Sequence, residues 1–330
     1  MDISVIGLGS WGTALALHLH KRGQDVILYG RLEDQFEEIS MSRKHPFLPG
    51  LTIPEGIRMT NDLTEACRNE FLVLAVPSPF VRGVMEKVVT VSIGKKNIIN
   101  VAKGFEIESG KRISEVVSEV AGESYGYCIL SGPTHAEEVA RELPAAIVAA
   151  SNDLELALSV QQLFSDETLR VYTSRDTIGV EVGGSFKNVV AIAAGIVDGL
   201  QFGDNAKAGL ITRGLYEMKR LGKALGAEGD TFNGLTGVGD LIVTCMSRHS
   251  RNRGFGERIG RGEKSSDILK DMKMVTEGVF AAKAFHRLNE KLGLSLPITD
   301  EVYKTIYEDK DPVQCFKDLM SREMKMESEH

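Results

Sequence analysis

Residues 3–14 read ISVIGLGSWGTA, a short apolar run that leads into three glycines and then into a helical pattern. A Gly-x-Gly-x-x-Gly motif alone is weak, but a strand before it and a helix after it provide the context that dinucleotide binding requires. Gly7 permits the tight turn, Gly9 lets the backbone approach a pyrophosphate, and Gly12 allows close packing of helix on strand. A glycine-rich turn without a ligand is the alternative.

Short apolar strand patterns alternate with helical patterns through the first half of the chain. Strands are predicted at 3–6, 26–29, 71–76, 97–101, 127–130, 145–149 and 169–172, with helices between them at 11–21, 82–91 and 111–121, among others. Near-continuous apolar strands that alternate with helices are typical of a parallel sheet covered on both faces. The sequence therefore predicts an α/β domain with a Rossmann-like, doubly wound parallel sheet.

The pattern changes near residue 176, after which long helical stretches replace the strands. Helices are predicted at 180–200, 206–225, 279–291, 299–308 and 312–324. Residues 189–197 are apolar or small on every face, which indicates a helix buried inside a domain. We therefore expect an NAD(P)-binding domain of residues 1–178 and an all-helical substrate and catalytic domain of residues 179–330.

Composition excludes several other classes of protein. The 330 residues carry a net charge of -7, which argues against a general nucleic-acid binder. The four cysteines are scattered singly, so neither a zinc ribbon nor a redox dithiol is indicated, and no metal site is expected. The chain begins directly with an apolar strand and has no run of about eighteen uncharged apolar residues. We therefore expect a cytoplasmic protein without stable membrane insertion.

The end of the second predicted strand bears on the choice of cofactor. It reads Tyr29-Gly30-Arg31, and no acidic residue follows before Glu33. Sites specific for NAD place Asp or Glu here to bind the ribose 2′-hydroxyl, whereas arginine accommodates a 2′-phosphate. We therefore expect NADPH to be accepted. The alternative is that Arg31 is a solvated surface arginine that contacts no ligand.

Lys187 lies at the start of the most apolar helical stretch, where residues 183–188 read GGSFKN. An ammonium is costly to bury alone, so a lysine at such a position usually has a carboxylate partner. Asp240, which follows a glycine-rich segment and precedes an apolar run, is the candidate partner. A buried lysine of this kind can exchange a proton with a carbonyl or an alcohol. The alternatives are a lysine that reaches the surface and an aspartate that caps a turn.

Residues 247–253, SRHSRNR, form a basic loop in an acidic protein. Arginine can fork onto two oxygens of a phosphate, and serine and asparagine supply further hydrogen bonds. The loop therefore suits a phosphate group, although cofactor and substrate phosphates cannot be distinguished in this way. A solvated cationic loop that binds nothing is the alternative.

Eight segments between residues 7 and 278 together resemble the bacterial-type NAD(P)-dependent glycerol-3-phosphate dehydrogenases. The first four are GLGSWGTALA at 7–16, LAVPS at 74–78, AKGFE at 102–106 and LSGPT at 130–134. The other four are FKNV at 186–189, GVGDL at 237–241, SRNR at 250–253 and TEG at 276–278. Eight segments in the order of the family are more specific than any one of them.

The resemblance implies reversible reduction of dihydroxyacetone phosphate to sn-glycerol 3-phosphate with NADP(H) or NAD(H), in support of phospholipid synthesis. It implies that Lys187 is the catalytic proton donor, and a homodimer is a further expectation. Residues implied to contact the substrate are Lys103, Gly132, Thr134, Lys187, Asp240, Ser250, Arg251 and Asn252. Besides the three glycines, residues implied to contact the cofactor are Ser10, Trp11, Arg31, Lys103, Ala136, Arg251, Val275 and Glu277.

The sequence departs from the family at two positions. His135 stands where the family usually has an aromatic residue, and Ala102 stands where threonine is commoner. We expect a packing or surface role for His135 rather than a second proton donor.

Two other functions remain open from the sequence. One is a related two-domain dehydrogenase of another small hydroxy acid or phosphorylated alcohol, because a fold alone does not identify a substrate. The other is a non-catalytic NAD(P)H-binding sensor. Lys187 and Asp240 argue against the sensor, and Lys103 with the basic loop favours a phosphorylated substrate.

Overall fold

The computed structural model describes residues 2–272, 275–324 and 326–327. Within them, eight strands form one sheet. The strands are β1 (Asp2–Ile6), β2 (Asp25–Tyr29), β3 (Arg58–Thr60), β4 (Phe71–Leu74), β5 (Lys96–Asn100), β6 (Tyr125–Ser131), β7 (Ala145–Ala150) and β8 (Leu169–Ser174).

The sheet is doubly wound, as predicted. Its strand order is β3-β2-β1-β4-β5-β6-β7-β8, so the direction of winding reverses between the neighbouring strands β1 and β4. Ligands of open α/β sheets bind at such a switch point, outside the carboxyl ends of the strands. The glycine turn follows β1 and therefore lies at this point of the sheet.

The sheet differs from the prediction in two strands. β3 was not predicted, because its three residues, Arg58-Met59-Thr60, contain no apolar run. β7 pairs antiparallel with β6, whereas the other neighbouring pairs are parallel. A parallel connection needs a crossover, usually a full helix. The β6–β7 connection contains only one four-residue helix, α6 (Ala136–Val139), and the chain returns beside the strand it has just left.

Helices cover both faces of the sheet. They are α1 (Ser10–Lys21), α2 (Phe36–Ser42), α3 (Leu63–Ala66), α4 (Val81–Val91), α5 (Ile113–Ala121), α6 and α7 (Leu154–Phe164). Strand side chains alternate between the two faces. Val73 belongs to the core cluster that contains residues of α1 and α7, whereas Leu72 and Leu74 belong to the cluster that contains residues of α4 and α5. This period of two places apolar residues on both sides of the sheet.

The chain divides into two compact units. The first consists of residues 1–103 and 112–177, and the second consists of residues 104–111 and 178–330. The segment 104–111 lies within the range predicted for the first domain, among the strands and helices of the first half of the chain. Its Phe105 belongs to the core of the second unit, with its ring centroid 4.9 Å from that of Phe285. The division into a cofactor-binding domain of residues 1–178 and a substrate and catalytic domain of residues 179–330 remains a prediction.

The regular elements described in residues 178–327 are helical. The helices are α8 (Thr177–Gly199), α9 (Gly203–Ala224), α10 (Asp240–Met246), α11 (Arg251–Gly260), α12 (Ser265–Asp271), α13 (Glu277–Leu292), α14 (Pro297–Tyr307) and α15 (Pro312–Met320). Three short ones, α10 to α12, were not predicted. α15 begins at residue 312, as predicted, but ends at residue 320 rather than 324. The Asp311 side chain caps it by accepting a hydrogen bond of 3.0 Å from the Gln314 N–H.

α8 is the core helix of the second unit. Among the described residues it is the one helix long and apolar enough to cross a membrane, and 94% of its most apolar 18-residue window is buried within the protein. A helix that is apolar on every face must bury all of them. The burial of α8 is that of a core helix, so its composition is explained without a bilayer.

Candidate active site

The glycine turn after β1 has the geometry that a pyrophosphate requires. Gly7 has a φ of +128°, and a Cβ there would collide with the carbonyl oxygen of Ala75, just after β4. A Cβ on Gly12 would collide with the Gly7 carbonyl oxygen, whereas one on Gly9 would find no atom within 4 Å. Gly9 is also the N-cap residue of α1 and gives it no side-chain cap. The backbone N–H groups in the first turn of α1 therefore border an open space beside Gly9, which we call the cradle. This arrangement fits a dinucleotide phosphate.

Ser10 and Trp11 are the first two residues of α1, next to this cradle. Ser10 is buried, and Trp11 packs against the apolar core of the first unit. The indole Nε1 of Trp11 is buried and has no hydrogen-bond partner among the described residues. Trp11 is also the only tryptophan of the sequence, which makes its fluorescence a specific reporter for the glycine turn.

Arg31 is an ion-paired residue rather than a simply solvated one. Its guanidinium donates to Asp34 through Nε at 3.1 Å and through Nη2 at 2.7 Å, and its backbone N–H donates to the same carboxylate. These hydrogen bonds raise the pKa of Arg31. Asp34 was not identified from the sequence, because the dinucleotide-binding pattern places the acidic residue at the end of the second strand. A 2′-phosphate at Arg31 would have to compete with this carboxylate.

Three residues implied to contact substrate converge on one carbonyl group of the first unit. Lys103 Nζ donates to the Gly132 carbonyl oxygen at 2.8 Å, and Thr134 Oγ1 donates to the same oxygen at 3.1 Å. Gly132 has a φ of +153°, and a Cβ there would lie 2.9 Å from the Ile147 Cα, so the position requires glycine. The side-chain oxygen of the neighbouring Ser131 is buried without a hydrogen-bond partner among the described residues.

Ala136, implied to contact the cofactor, is the first residue of α6. His135 precedes it as the N-cap residue and is half-buried, and its side chain does not cap the helix. The role of His135 therefore stays a prediction.

Lys187 and Asp240 form a hydrogen-bonded ion pair, which the sequence alone could not establish. Lys187 Nζ donates to Asp240 Oδ1, and their side chains are 7% and 0% exposed. Lys187 therefore does not reach the surface past its neighbours. Asp240 is the first residue of α10 and follows a π-helical turn at Leu235–Gly239, a feature that is frequent at functional sites. The Thr244 hydroxyl donates to the Asp240 carbonyl oxygen at 2.6 Å, within the first turn of α10.

The basic loop leads into α11, and its residues have different roles. Ser250 is the N-cap residue of α11, and its Oγ accepts a hydrogen bond of 3.2 Å from the Arg253 N–H. Arg251 is exposed, and its Nη1 donates to the Val275 carbonyl oxygen at 2.9 Å. Arg251 and Val275, both implied to contact the cofactor, are thus neighbours. Glu277 follows as the first residue of α13.

Asn252 joins three helices. Its Nδ2 donates to Asn188 Oδ1 on α8 at 2.9 Å, and its Oδ1 accepts from the Gly278 N–H on α13 at 2.9 Å. Because Asn188 follows Lys187 directly, these hydrogen bonds link the start of α11 to the turn of α8 that carries the lysine. The sequence marked Asn252 but missed the role of Asn188, although Asn188 lies in the FKNV segment.

Arg253, the last residue of the basic loop, pairs with two carboxylates. Its Nε donates to Asp198 Oδ2 at 2.7 Å, and its Nη1 lies 3.3 Å from Glu257 Oε2. Lys207 donates to the same Asp198 carboxylate at 2.8 Å and 3.0 Å. The helical turn that starts at Arg251 directs Arg253 toward α8 and α9, where it has a structural role.

Glycines bring α8 and α11 unusually close. A Cβ on Gly195 of α8 would collide with the Arg253 carbonyl oxygen, and one on Gly256 of α11 would collide with the Ile192 carbonyl oxygen. Such backbone proximity leaves little freedom for α11 to shift along α8. The helix that carries Lys187 and the helix that begins with Arg251 are therefore held in a fixed relation.

A glycine turn that fits a dinucleotide phosphate at the switch point of a doubly wound sheet is typical of a dinucleotide-binding protein. A buried lysine–aspartate pair in a helical unit adds a proton donor, and together these features define the class of nicotinamide-dependent dehydrogenases. Family models described as NAD-dependent glycerol-3-phosphate dehydrogenase N-terminus and C-terminus match residues 2–157 and 176–317. The chain belongs to the NAD-dependent glycerol-3-phosphate dehydrogenase family, as the sequence predicted.

Individual relatives agree over the full length. A glycerol-3-phosphate dehydrogenase (NAD(P)+) of Chlorobium phaeobacteroides is 47% identical and one of Thermoanaerobacter is 48% identical, each match covering 99% of both chains. A crystal structure of glycerol-3-phosphate dehydrogenase from Coxiella burnetii is similar with a TM-score of 0.94 at 36% identity, covering 97% of this chain and 99% of that one. These similarities confirm the predicted family and fold class.

Proposed function

We propose that this chain catalyses the reversible NAD(P)H-dependent reduction of dihydroxyacetone phosphate to sn-glycerol 3-phosphate. The observation that carries the proposal is the buried Lys187–Asp240 pair in a member of this family. The full-length relatives named for this activity support it, and so does the open cradle of the glycine turn. Binding of NADP(H) or NAD(H) by the family agrees with that cradle.

Lys187 is the proposed proton donor. When bound, the reduced nicotinamide supplies a hydride to the carbonyl carbon, and negative charge then develops on the carbonyl oxygen. The Lys187 ammonium stabilises that charge and donates a proton to the oxygen, which yields the alcohol. Asp240 holds the ammonium in place and compensates its charge where both side chains are buried.

Ser250, Arg251 and Asn252 are proposed to bind the substrate phosphate. Arg251 is exposed and offers a guanidinium fork, which suits phosphate geometry. Asn252 uses its carbonyl oxygen and one amide hydrogen within the protein, which leaves the second amide hydrogen as a donor. Lys103, Gly132 and Thr134 are proposed as further substrate contacts.

The residues that the family resemblance implies for cofactor binding are proposed as the cofactor contacts. They are Gly7, Gly9, Ser10, Trp11, Gly12, Arg31, Lys103, Ala136, Arg251, Val275 and Glu277.

We further propose that the product supplies glycerophospholipid synthesis in the cytoplasm and that the enzyme is a homodimer without stable membrane insertion. Sedimentation of the purified protein tests the dimer.

The test of the reaction is the absorbance of reduced nicotinamide after dihydroxyacetone phosphate is added to the purified protein, with NADPH and NADH in parallel. A rapid fall in the wild type that is abolished in Lys187→Ala is the expected result. Lys291→Ala, which removes an exposed lysine of α13, is the matched control and should retain full activity. A wild type that binds NADPH but oxidises neither NADPH nor NADH would exclude this substrate.

A further inference from the structure

His45 contacts the glycine turn from outside the motif. It lies in the connection between α2 and β3, and its side chain is buried with 5% exposure. Its Nε2 lies 2.9 Å from the carbonyl oxygen of Leu8, the residue between Gly7 and Gly9. None of the motif segments that carry the family resemblance includes His45.

The surrounding hydrogen bonds define the protonation state of the ring. The Phe47 N–H donates to His45 Nδ1 at 3.2 Å, so Nδ1 carries a lone pair and Nε2 carries the hydrogen. The Nε2–H therefore donates to the Leu8 carbonyl oxygen. Burial lowers the pKa of His45, although the hydrogen bond to Leu8 opposes this, and the neutral ring is favoured near neutral pH.

The connection that carries His45 is itself fixed. The Ile53 N–H donates to the Arg43 carbonyl oxygen at 2.7 Å, and Arg43 Nη1 donates to the Ile57 carbonyl oxygen at 2.9 Å. Ile53 and Ile57 are buried in the same core cluster as Leu8. The segment that carries His45 is thus held in place by these hydrogen bonds and by the packing of Ile53 and Ile57 in the core.

The bond to Leu8 acts on the neighbouring peptide group. In a trans peptide the C=O of one residue and the N–H of the next point in opposite directions, and the described chain contains no cis peptide bond. A Leu8 carbonyl held toward His45 therefore directs the Gly9 N–H away from His45. Gly7 and Gly9 have no side chains that could fix this orientation themselves.

We propose that His45 is a positioning residue for cofactor binding, which orients the Leu8–Gly9 peptide so that the Gly9 N–H is presented to the dinucleotide pyrophosphate. The inference rests on the proposed function only in that the glycine turn binds NAD(P)H. It concerns affinity for the cofactor rather than the reaction with dihydroxyacetone phosphate.

Two conservative variants separate this role from simple packing. In His45→Gln the side-chain amide nitrogen can reach the position of Nε2 and donate to the Leu8 carbonyl oxygen. In His45→Asn the shorter side chain can still accept from the Phe47 N–H, but its amide nitrogen does not reach Leu8. We expect the Kd for NADPH to rise about tenfold in His45→Asn, because a buried carbonyl loses its donor. In His45→Gln it should stay near the wild-type value. The kcat with saturating NADPH should change little in both variants.

The Kd is measured directly from quenching of Trp11 fluorescence by NADPH, so no turnover is needed. His18→Asn is the matched control: His18 is 6% exposed, and its Nε2 lies 2.7 Å from the Phe164 carbonyl oxygen, away from the glycine turn. It should lower the melting temperature as His45→Asn does, while its Kd stays at the wild-type value.

Wild-type affinity in His45→Asn, equal weakening in the Gln and Asn variants, or no binding of NADPH by the wild type would each overturn the proposal. Failure of the proposed reaction gives a different result. In that case the wild type binds NADPH, His45→Asn binds it weakly, and neither reduces dihydroxyacetone phosphate.

Discussion

Replacing both members of the Lys187–Asp240 pair is expected to cost less stability than the two single replacements together. The side chains are 7% and 0% exposed, so each single change leaves a charge that water cannot solvate. Breaking such a buried pair from one side costs about 3–5 kcal/mol, whereas neutral replacement of both partners is often tolerated. We therefore expect a coupling free energy of about 2–4 kcal/mol between Lys187→Met and Asp240→Asn.

The measurement is a double-mutant cycle of urea unfolding, with the rate of NADPH oxidation followed for each variant. The exposed pair Lys270–Asp267, with side chains 77% and 65% exposed, is the matched control and should show no measurable coupling. The kcat of Lys187→Met should fall about 10²–10⁴-fold, because a positioned proton donor contributes that factor, while NADPH binding is retained.

Two results would refute this reasoning. If the losses of stability in the two single variants simply added in the double variant, the two charges would not interact in a buried environment. Activity in Lys187→Met close to that of the wild type would mean that another group protonates the alkoxide.

Further predictions concern a buried carboxyl, the Arg31–Asp34 pair and the contact between α8 and α11. Burial raises the pKa of the Glu217 carboxyl to about 7 from its ordinary value of 4.5, so the folded chain keeps a proton that the unfolded chain releases. The free energy of unfolding should therefore fall by about 3 kcal/mol as the pH rises from 4.5 through 7. Urea titrations across this range should lose that fall in Glu217→Gln; an unchanged slope would assign it to other groups. Asp34→Asn releases the Arg31 guanidinium and should increase the ratio of kcat/KM for NADPH to that for NADH severalfold, whereas Arg31→Ala should decrease it. Gly256→Ala should destabilise the protein by about 1–3 kcal/mol through collision with α8. Gly254→Ala, on the same helix with no atom within 4 Å of the added Cβ, should be neutral or slightly stabilising in thermal melts, and equal losses would exclude the collision.

Local features of the fold were predictable, and features that depend on distant segments were not. β1, the glycine turn and α1 follow one another directly, so a single stretch of sequence contains all that defines them. The direction of β7 depends instead on the length of helix that its connection to β6 provides. Phe105 belongs to the core of the second unit because of contacts made far along the chain with Phe285, and no periodicity near residue 105 indicates this.

The candidate site shows the same limit. The sequence indicated Lys187 and Asp240 as candidate partners, because each has an unusual local setting. Their hydrogen bond joins residues 53 positions apart, so only the fold could establish it. Asp34 lies three residues after Arg31 and pairs with it, but it was not predicted because the dinucleotide-binding motif places an acidic residue at the strand end. The pairing of Arg253 with Asp198 likewise joins residues 55 positions apart and was not predicted.

The excursion of residues 104–111 into the second unit has a consequence for how members of this family can recombine. A gene fusion that joins two relatives at residues 177 and 178 would leave the second unit with Phe105 from one parent and Phe285 with Phe186 from the other. These aromatic rings pack in one core, with centroids 4.9 Å and 5.2 Å apart. A chimera that keeps this core from a single parent has to inherit the octapeptide together with the carboxyl-terminal half, which takes two crossovers flanking it in addition to the one at the boundary.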